Sequence, residues 1–376
     1  MYLIVWCLRS FVVFRGQWSL RWWDGIYALF AAAAAISVVA DPLGPPNWHE
    51  YHDILSYLAV GWTLSHSRMT RRQLWALLGV ALVATLGGTA YGVWKWKTGA
   101  KWAFELNSVG HTNHSAIYLG IITAATFTAA LALLRSGRAA AGIILLVSFA
   151  AMGYVVLTGE SRASLLAFGV AVPIGLLIYA RRTAMRILPI AAVLAVAGIG
   201  TLWINPYLIE KTLLRASENN IAASRLEVAH VAMEAWSHHK LTGIGPGNYS
   251  RVSPQLVQQW VEADGRTYDA DYYYYTSHAH NIFINTLVER GVIGIIALLA
   301  LAAFWLWLLV RTLPARDAEP LAWSVWGACL AAFIFAFVNG SFNTTLHHEH
   351  GLLCMIAIGL LLGHRNTPRG EFSIRA

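Results

Sequence analysis

Two histidines and a few arginines are the side chains in this sequence best suited to chemistry. His278 and His280 sit in Thr276-Ser277-His278-Ala279-His280-Asn281, directly before the apolar run 282–310. Imidazole is the one side chain whose ordinary pKa lies near neutrality, so either ring suits general base or acid work. Thr276 and Ser277 are available to cap the helix that begins there. The free amides and positive end of a helix N-terminus attract an anion such as a diphosphate, and the same field favours neutral imidazole. The competing reading is a pair of interfacial histidines bonded to caps and water.

Arg162 lies in Leu157-Thr158-Gly159-Glu160-Ser161-Arg162, a very short turn between two apolar stretches. A charge at the edge of a membrane span must pair, snorkel or face a polar cavity. Glu160 is the local partner; an anionic ligand is the alternative. Arg225 opens an amphipathic pattern, where a cation opposes the helix dipole and must gain elsewhere. Two guanidinium forks near a helix N-terminus would clamp a diphosphate. Arg290 is a third cation, with Glu289 as its local partner. His111, Asn113 and Asn281 are further candidate substrate contacts, although the first two would equally well cap a helix. His347-His348-Glu349-His350 looks like a metal cluster, but adjacent histidines do not share a helix face and no H-E-x-x-H spacing is present. No metal or other cofactor is expected.

The elements that must position these groups are membrane helices. The chain has 376 residues, 57% hydrophobic and 12% charged, against roughly 25% charged in soluble chains. Several runs approach the ~20 apolar residues that cross a bilayer as a helix, and none alternates as barrel strands do. Spans are expected at 2–14, 22–40, 54–64, 73–94, 113–134, 139–157, 163–180, 186–204, 282–310, 321–338 and 352–363. Residues 1–14 lack a basic leader and a small-residue cleavage site, so they read as a span rather than a signal peptide. Cys7, Cys329 and Cys354 lie in apolar runs and read as packing residues.

The formal charge of +8 is explained by orientation rather than by nucleic acid. Arginines crowd alternate connections, such as Arg68, Arg71 and Arg72, or Arg181, Arg182 and Arg186. The short loops opposite hold only Lys95, Lys97, Lys101 and Arg162. The arginine-rich side is therefore cytoplasmic and the long 205–281 loop faces outward. The same alternation puts residue 1 outside, which points either to a start downstream of the usual one or to a missing first helix.

Within the loop, Ser224-Arg225-Leu226-Glu227 reads as a capping box, followed by Leu226, Ala229, Met233 and Trp236 as the apolar face of a helix. Gly243-Ile244-Gly245-Pro246-Gly247-Asn248 forces a turn, and a second helix is expected over 254–261. The fold class is thus an all-α polytopic membrane protein with about 11–12 transmembrane helices and one large outer loop containing amphipathic helices. Its divisions are 1–204, 205–281 and 282–376.

Four motifs together resemble a known family: Ser161-Arg162 between spans, Ser224-Arg225 opening an outer helix, G-x-G-x-G-N from Gly243 to Asn248, and His278-x-His280-Asn281 followed by Glu289, Gly291 and Gly294. Over roughly residues 110–340 the chain resembles the O-antigen ligase and polymerase superfamily of bacterial inner membranes, most of all the lipopolysaccharide O-antigen ligases. Members usually have about a dozen spans, so the short N-terminus is a departure. The resemblance implies inverting, metal-independent transfer of a glycan from undecaprenyl diphosphate to a lipid A-core sugar on the periplasmic face. It implies that His280 deprotonates the acceptor, with His278 as neighbour or alternate, and that Arg162 and Arg225 stabilise the departing diphosphate. Apolar spans would give the polyprenyl tail a lateral groove among membrane lipids. A polymerase or a protein O-oligosaccharyltransferase of the same superfamily is the near alternative. A transporter or flippase of lipid-linked glycans is the distant one, and it would place ionisable groups nearer mid-membrane.

Overall fold

A chain in lipid must satisfy its own amides, so long apolar runs separated by polar breaks fold as helices. The computed structural model describes residues 20–106, 109–159, 161–184, 188, 195 and 220–365. Its helices are α1 (Asp24–Val39), α2 (Trp48–His66), α3 (Arg71–Lys97), α4 (Thr112–Arg135), α5 (Ala139–Thr158), α6 (Arg162–Thr183), α7 (Asn220–His238), α8 (Pro254–Ala263), α9 (Ile282–Arg311), α10 (Pro320–Ile334) and α11 (His348–Arg365). Six are long and apolar enough to cross a membrane: α3, α4, α5, α6, α9 and α10 with its extension to Asn339. The chain is an all-α polytopic membrane protein. α1, α2 and α11 form over three further expected spans, but α1 has only 16 residues, and α2 and α11 start with charged and histidine-rich turns. The expected spans 2–14 and 186–204 lie outside the described residues.

The bundle is apolar on its outside as well as within. Val80 and Val83 on α3, Ile144 and Val147 on α5, and Leu299 and Leu306 on α9 are exposed, a pattern suited to lipid rather than water. α4 forms the centre. Gly120 admits the Phe335 ring, and Gly327 of α10 admits Thr128, the small-residue contacts that let membrane helices approach closely. Buried threonine hydroxyls on α4 return to their own helix, Thr123 Oγ1 donating to the Leu119 carbonyl at 2.6 Å and Thr126 Oγ1 to the Ile122 carbonyl at 2.7 Å, which satisfies them without a partner helix.

α10 does not end cleanly. It widens into a π-helical turn at Phe335–Asn339, a feature often found at functional sites. Thr345 Oγ1 donates to the Ala336 carbonyl within this turn at 2.5 Å. Asn339 Nδ2 reaches Ser164 Oγ on α6 at 2.8 Å. The Gly340 carbonyl takes the first amide of α9, Ile282 N–H, at 2.7 Å. One polar break thus fixes the starts of two other helices.

The outer segment builds its own small core from Val228, Val231, Ala232 and Ala235 of α7, with Ile244, Tyr249, Val257 and Val261, plus Ala279 and Val288 from the approach to α9. Ser253 caps α8 through Leu256 N–H at 3.2 Å, and that helix forms where expected. Two expectations need correction. α7 begins at Asn220, so Ser224 lies inside it and does not cap it. Its buried face is the Val228, Val231, Ala232, Ala235 stripe, while Leu226 and Met233 are exposed. That stripe is buried because it faces Ile244, Tyr249, Val257, Val261 and Val288 of the outer core.

A third correction concerns α9, expected as one uninterrupted span. It is broken at Gly291, whose φ is 62° and ψ −162°. The backbone groups released by the break are taken by the segment 240–245. Val292 N–H donates to the Lys240 carbonyl at 2.9 Å, while Ile244 N–H and Gly245 N–H donate to the Val288 and Glu289 carbonyls, both at 2.9 Å. A Cβ at Gly291 would collide with the Leu241 carbonyl, so the position needs glycine for both its φ and its space. Gly291→Ala should therefore lower the melting temperature by several degrees and make the outer segment protease-sensitive. Gly265→Ala, with φ of 71° in open space, should cost only the left-handed penalty of about 1–2 kcal/mol. Equal effects of the two substitutions would contradict this account of the break.

Candidate active site

The helix starts gathered by these contacts enclose a cavity of about 440 Å³, within the range of ligand sites. Its walls include His111, Thr112 and Asn113 from the start of α4, Ser161, Arg162 and Ala163 from the start of α6, Arg225 and Val228 from α7, and His280 ahead of α9. The arginine-rich connections, with Arg135 and Arg138 or Arg181 and Arg182, lie at the far ends of α4, α5 and α6.

Each functional side chain is held by local chemistry. Ser161 caps α6 by accepting from Ser164 N–H at 3.4 Å, and Ser164 is itself tied to Asn339; this fixes the first turn that carries Arg162. His111 caps α4, its Nδ1 accepting from Asn113 N–H at 3.2 Å. Arg225 projects from the second turn of α7, its guanidinium 5.6 Å from the centre of the Phe342 ring. Among the described residues no carboxylate pairs with Arg162 or Arg225; Glu160, the expected local partner of Arg162, lies outside them. Desolvation in the cavity and the neighbouring Arg162 charge lower the Arg225 pKa. The two cations, beside the positive ends of α4 and α6, repel one another, an arrangement suited to an anion.

His280 adopts a left-handed backbone, φ 49°, uncommon outside glycine. That conformation lets Ala279 sink into the outer core while Asn281 turns to cap α9. Asn281 Oδ1 accepts from Phe283 N–H at 2.9 Å and Ile284 N–H at 3.1 Å, and its Nδ2 donates to the Ser341 carbonyl at 3.0 Å. Asn281 is thus the cap, rather than Thr276 or Ser277, and its side chain is occupied by structure. Thr276 Oγ1 instead donates to the His278 carbonyl at 2.7 Å. Burial first, then the charge of Arg225 and the presence of His111, lower the His280 pKa below its ordinary value. His278, 4.1 Å away between ring centres, is pushed to about 4 by burial, His280, His114 and His111, against the opposing hydrogen bond from Asn343, so both shifts favour neutral rings.

Not every expected residue arrives here. His280, Arg162, Arg225, His111 and Asn113 line one cavity. His278, with its ring beside that of His280, is absent from the lining. Arg290 borders a separate, much smaller space with Glu50 and Glu289, with its guanidinium 5.2 Å from the centre of the Phe30 ring, and is absent from the cavity wall. Sequence reasoning missed Asn343 and Phe342 on the cavity wall; it reads Trp94, Trp96 and Trp102, and Tyr272 to Tyr275, as interfacial anchors, with stacking on sugar rings open to the tyrosines, and of these Trp102 and Tyr274 reach the wall. The polar stretch Asn339-Gly340-Ser341-Phe342-Asn343 between two apolar runs was the available signal for the first two.

As for metals, the described residues bring three ligand atoms together at Glu234, His238 and Asp264. Arg266 already occupies that group, at 2.5 and 3.0 Å from Glu234 and 2.8 Å from Asp264, which makes it an ion-pair network. In the histidine-rich start of α11, His350 is buried with its ring 4.9 Å from that of His114.

Residues 147–299 match the family model described as O-Antigen ligase. The matched stretch takes in Arg162, Arg225, the glycine-rich turn, His278 and His280, and it bears out the resemblance to the O-antigen ligase and polymerase superfamily. No curated protein matches the chain.

Proposed function

We propose, from that family match and the shared cavity, that the protein is a glycosyltransferase that moves a glycan from a polyprenyl diphosphate to a sugar hydroxyl. The site would face the periplasm of a bacterial inner membrane, with undecaprenyl diphosphate as lipid and a lipid A-core sugar as acceptor. The observation that carries this reading is the convergence of Arg162, Arg225 and His280 on one cavity. The acceptor oxygen attacks the anomeric carbon from the face opposite the diphosphate. Its proton passes to the neutral His280 ring, the bond from carbon to diphosphate oxygen breaks, and the diphosphate leaves with the electron pair. Configuration at the anomeric carbon inverts. Negative charge grows on the leaving group beside two fixed guanidinium groups, the arrangement that stabilises a transition state more than a ground state.

The test is reconstitution of the purified protein with a lipid-linked glycan and alternative acceptors. Transfer to lipid A-core, unaffected by a chelator, is expected. Longer glycan chains without transfer to core would make the protein a polymerase, and movement of the lipid-linked glycan across the bilayer without a new bond would make it a transporter. The pH profile follows from the lowered His280 pKa. The base is the neutral ring, so kcat/KM should be level at neutral pH and fall on acidification, bending below the ordinary imidazole value of about 6.5. A bend above that value would contradict the assignment.

A further inference from the structure

We propose that Trp102 and Tyr274 form a stacking subsite for a pyranose ring at this cavity, an inference that rests on the glycosyl-transfer reading. Both line the cavity, and both expose large aromatic surface, 74% for Trp102 and 51% for Tyr274. Exposed aromatic faces carry no charge to offer a diphosphate. They suit the C–H face of a sugar ring, whose hydroxyl rim stays available to polar neighbours.

The surroundings of each ring set it apart from its sequence neighbours. Trp102 precedes Ala103, Phe104 and Leu106, all buried. Leu106 N–H donates to Ser115 Oγ of α4 at 2.9 Å, and Gly92 leaves room for the Glu105 carbonyl to press against α3. The Trp102 ring is therefore exposed on an anchored backbone. Trp94, also exposed, stacks beside Tyr91 on α3 and is absent from the cavity wall. Of the four consecutive tyrosines, three are engaged within the outer segment. Tyr272 stacks on His230 with centres 3.7 Å apart, Tyr273 stacks on Tyr268, and the Tyr275 hydroxyl meets that of Tyr268 at 3.2 Å. Tyr274 alone is left to the cavity. The site thus offers two chemistries, cationic at Arg162 and Arg225 and aromatic at Trp102 and Tyr274, which a sugar linked to a diphosphate would need together.

The pyranose could belong to donor or acceptor, and one binding experiment separates them. The full chain in lipid nanodiscs is titrated with a glycan-bearing undecaprenyl diphosphate, with bare undecaprenyl diphosphate and with deacylated core oligosaccharide. Trp102→Ala should weaken one of the two sugar-bearing probes about tenfold, a change of ~1.4 kcal/mol, and that probe identifies the source of the ring. Trp102→Phe should stay near wild type, Tyr274→Ala should weaken the same probe, and bare undecaprenyl diphosphate should bind unchanged. Unchanged binding of both sugar-bearing probes by Trp102→Ala would overturn the subsite. Equal weakening of the bare lipid, or the same loss from Trp94→Ala, would also overturn it, because that is the signature of an interfacial anchor. These are equilibrium measurements, so their failure is distinct from failure of the transfer reading, which is decided by product formation.

Discussion

Replacing His280 with alanine should reduce transfer by about 10²–10⁴-fold, the usual worth of a positioned general base, with little change in the affinity for lipid-linked glycan. The expectation comes from position as well as residue type. His280 is the member of the histidine pair that lines the cavity, and its neutral ring is ready to accept a proton at physiological pH. His278→Ala should do less, since that ring is not among the groups on the cavity wall. If the His280 variant turns over normally in a purified assay while His278→Ala is inactive, the two roles are exchanged. If both variants turn over normally, the base lies elsewhere.

Loss of Arg225 is the second large effect. Arg225→Ala should lower kcat by about 10²–10³-fold, as removal of a preorganised oxyanion donor does. The sharper test is Arg225→Lys, which keeps the charge but loses the planar fork that grips two phosphate oxygens at once. We expect the lysine variant to stay at least about tenfold below wild type. Full activity with lysine would show that Arg225 supplies only a field. Arg162 should follow the same order, with a weaker response in the double variant than the product of the singles, since the two guanidinium groups act on one leaving group.

The helical, membrane-spanning character of the chain was legible from composition and run length, because lipid leaves few ways to satisfy a backbone. The residues of the cavity were partly legible, since cations and imidazoles at the edges of apolar runs are costly there and invite a reason. Their convergence was not legible. It depends on Asn339 reaching Ser164, on the Gly340 carbonyl receiving α9 and on the π-helical turn between them, contacts that join residues more than fifty positions apart. The face of α7 was misread because apolar residues lie on more than one side of the helix, Leu226 and Met233 as well as Val228 and Ala232, and only the partners in the outer core decide which side is buried. Arg290, read both as a third cation and as a partner of Glu289, lies beside Glu289 and Glu50 in the smaller space. Trp94, Trp96 and Trp102 follow one another beside lysines in the sequence, and nothing in their spacing separates the one that reaches the cavity.

The interruption of α9 bears on how such proteins diversify. Because 240–245 completes the backbone bonding of 288–293, the outer segment is not a removable cassette. A hybrid that borrows residues 220–281 from another chain but retains its original residues 288–293 would join two halves of a mismatched seam. Exchange of acceptor preference by grafting should succeed only when the donor sequence runs through Gly294.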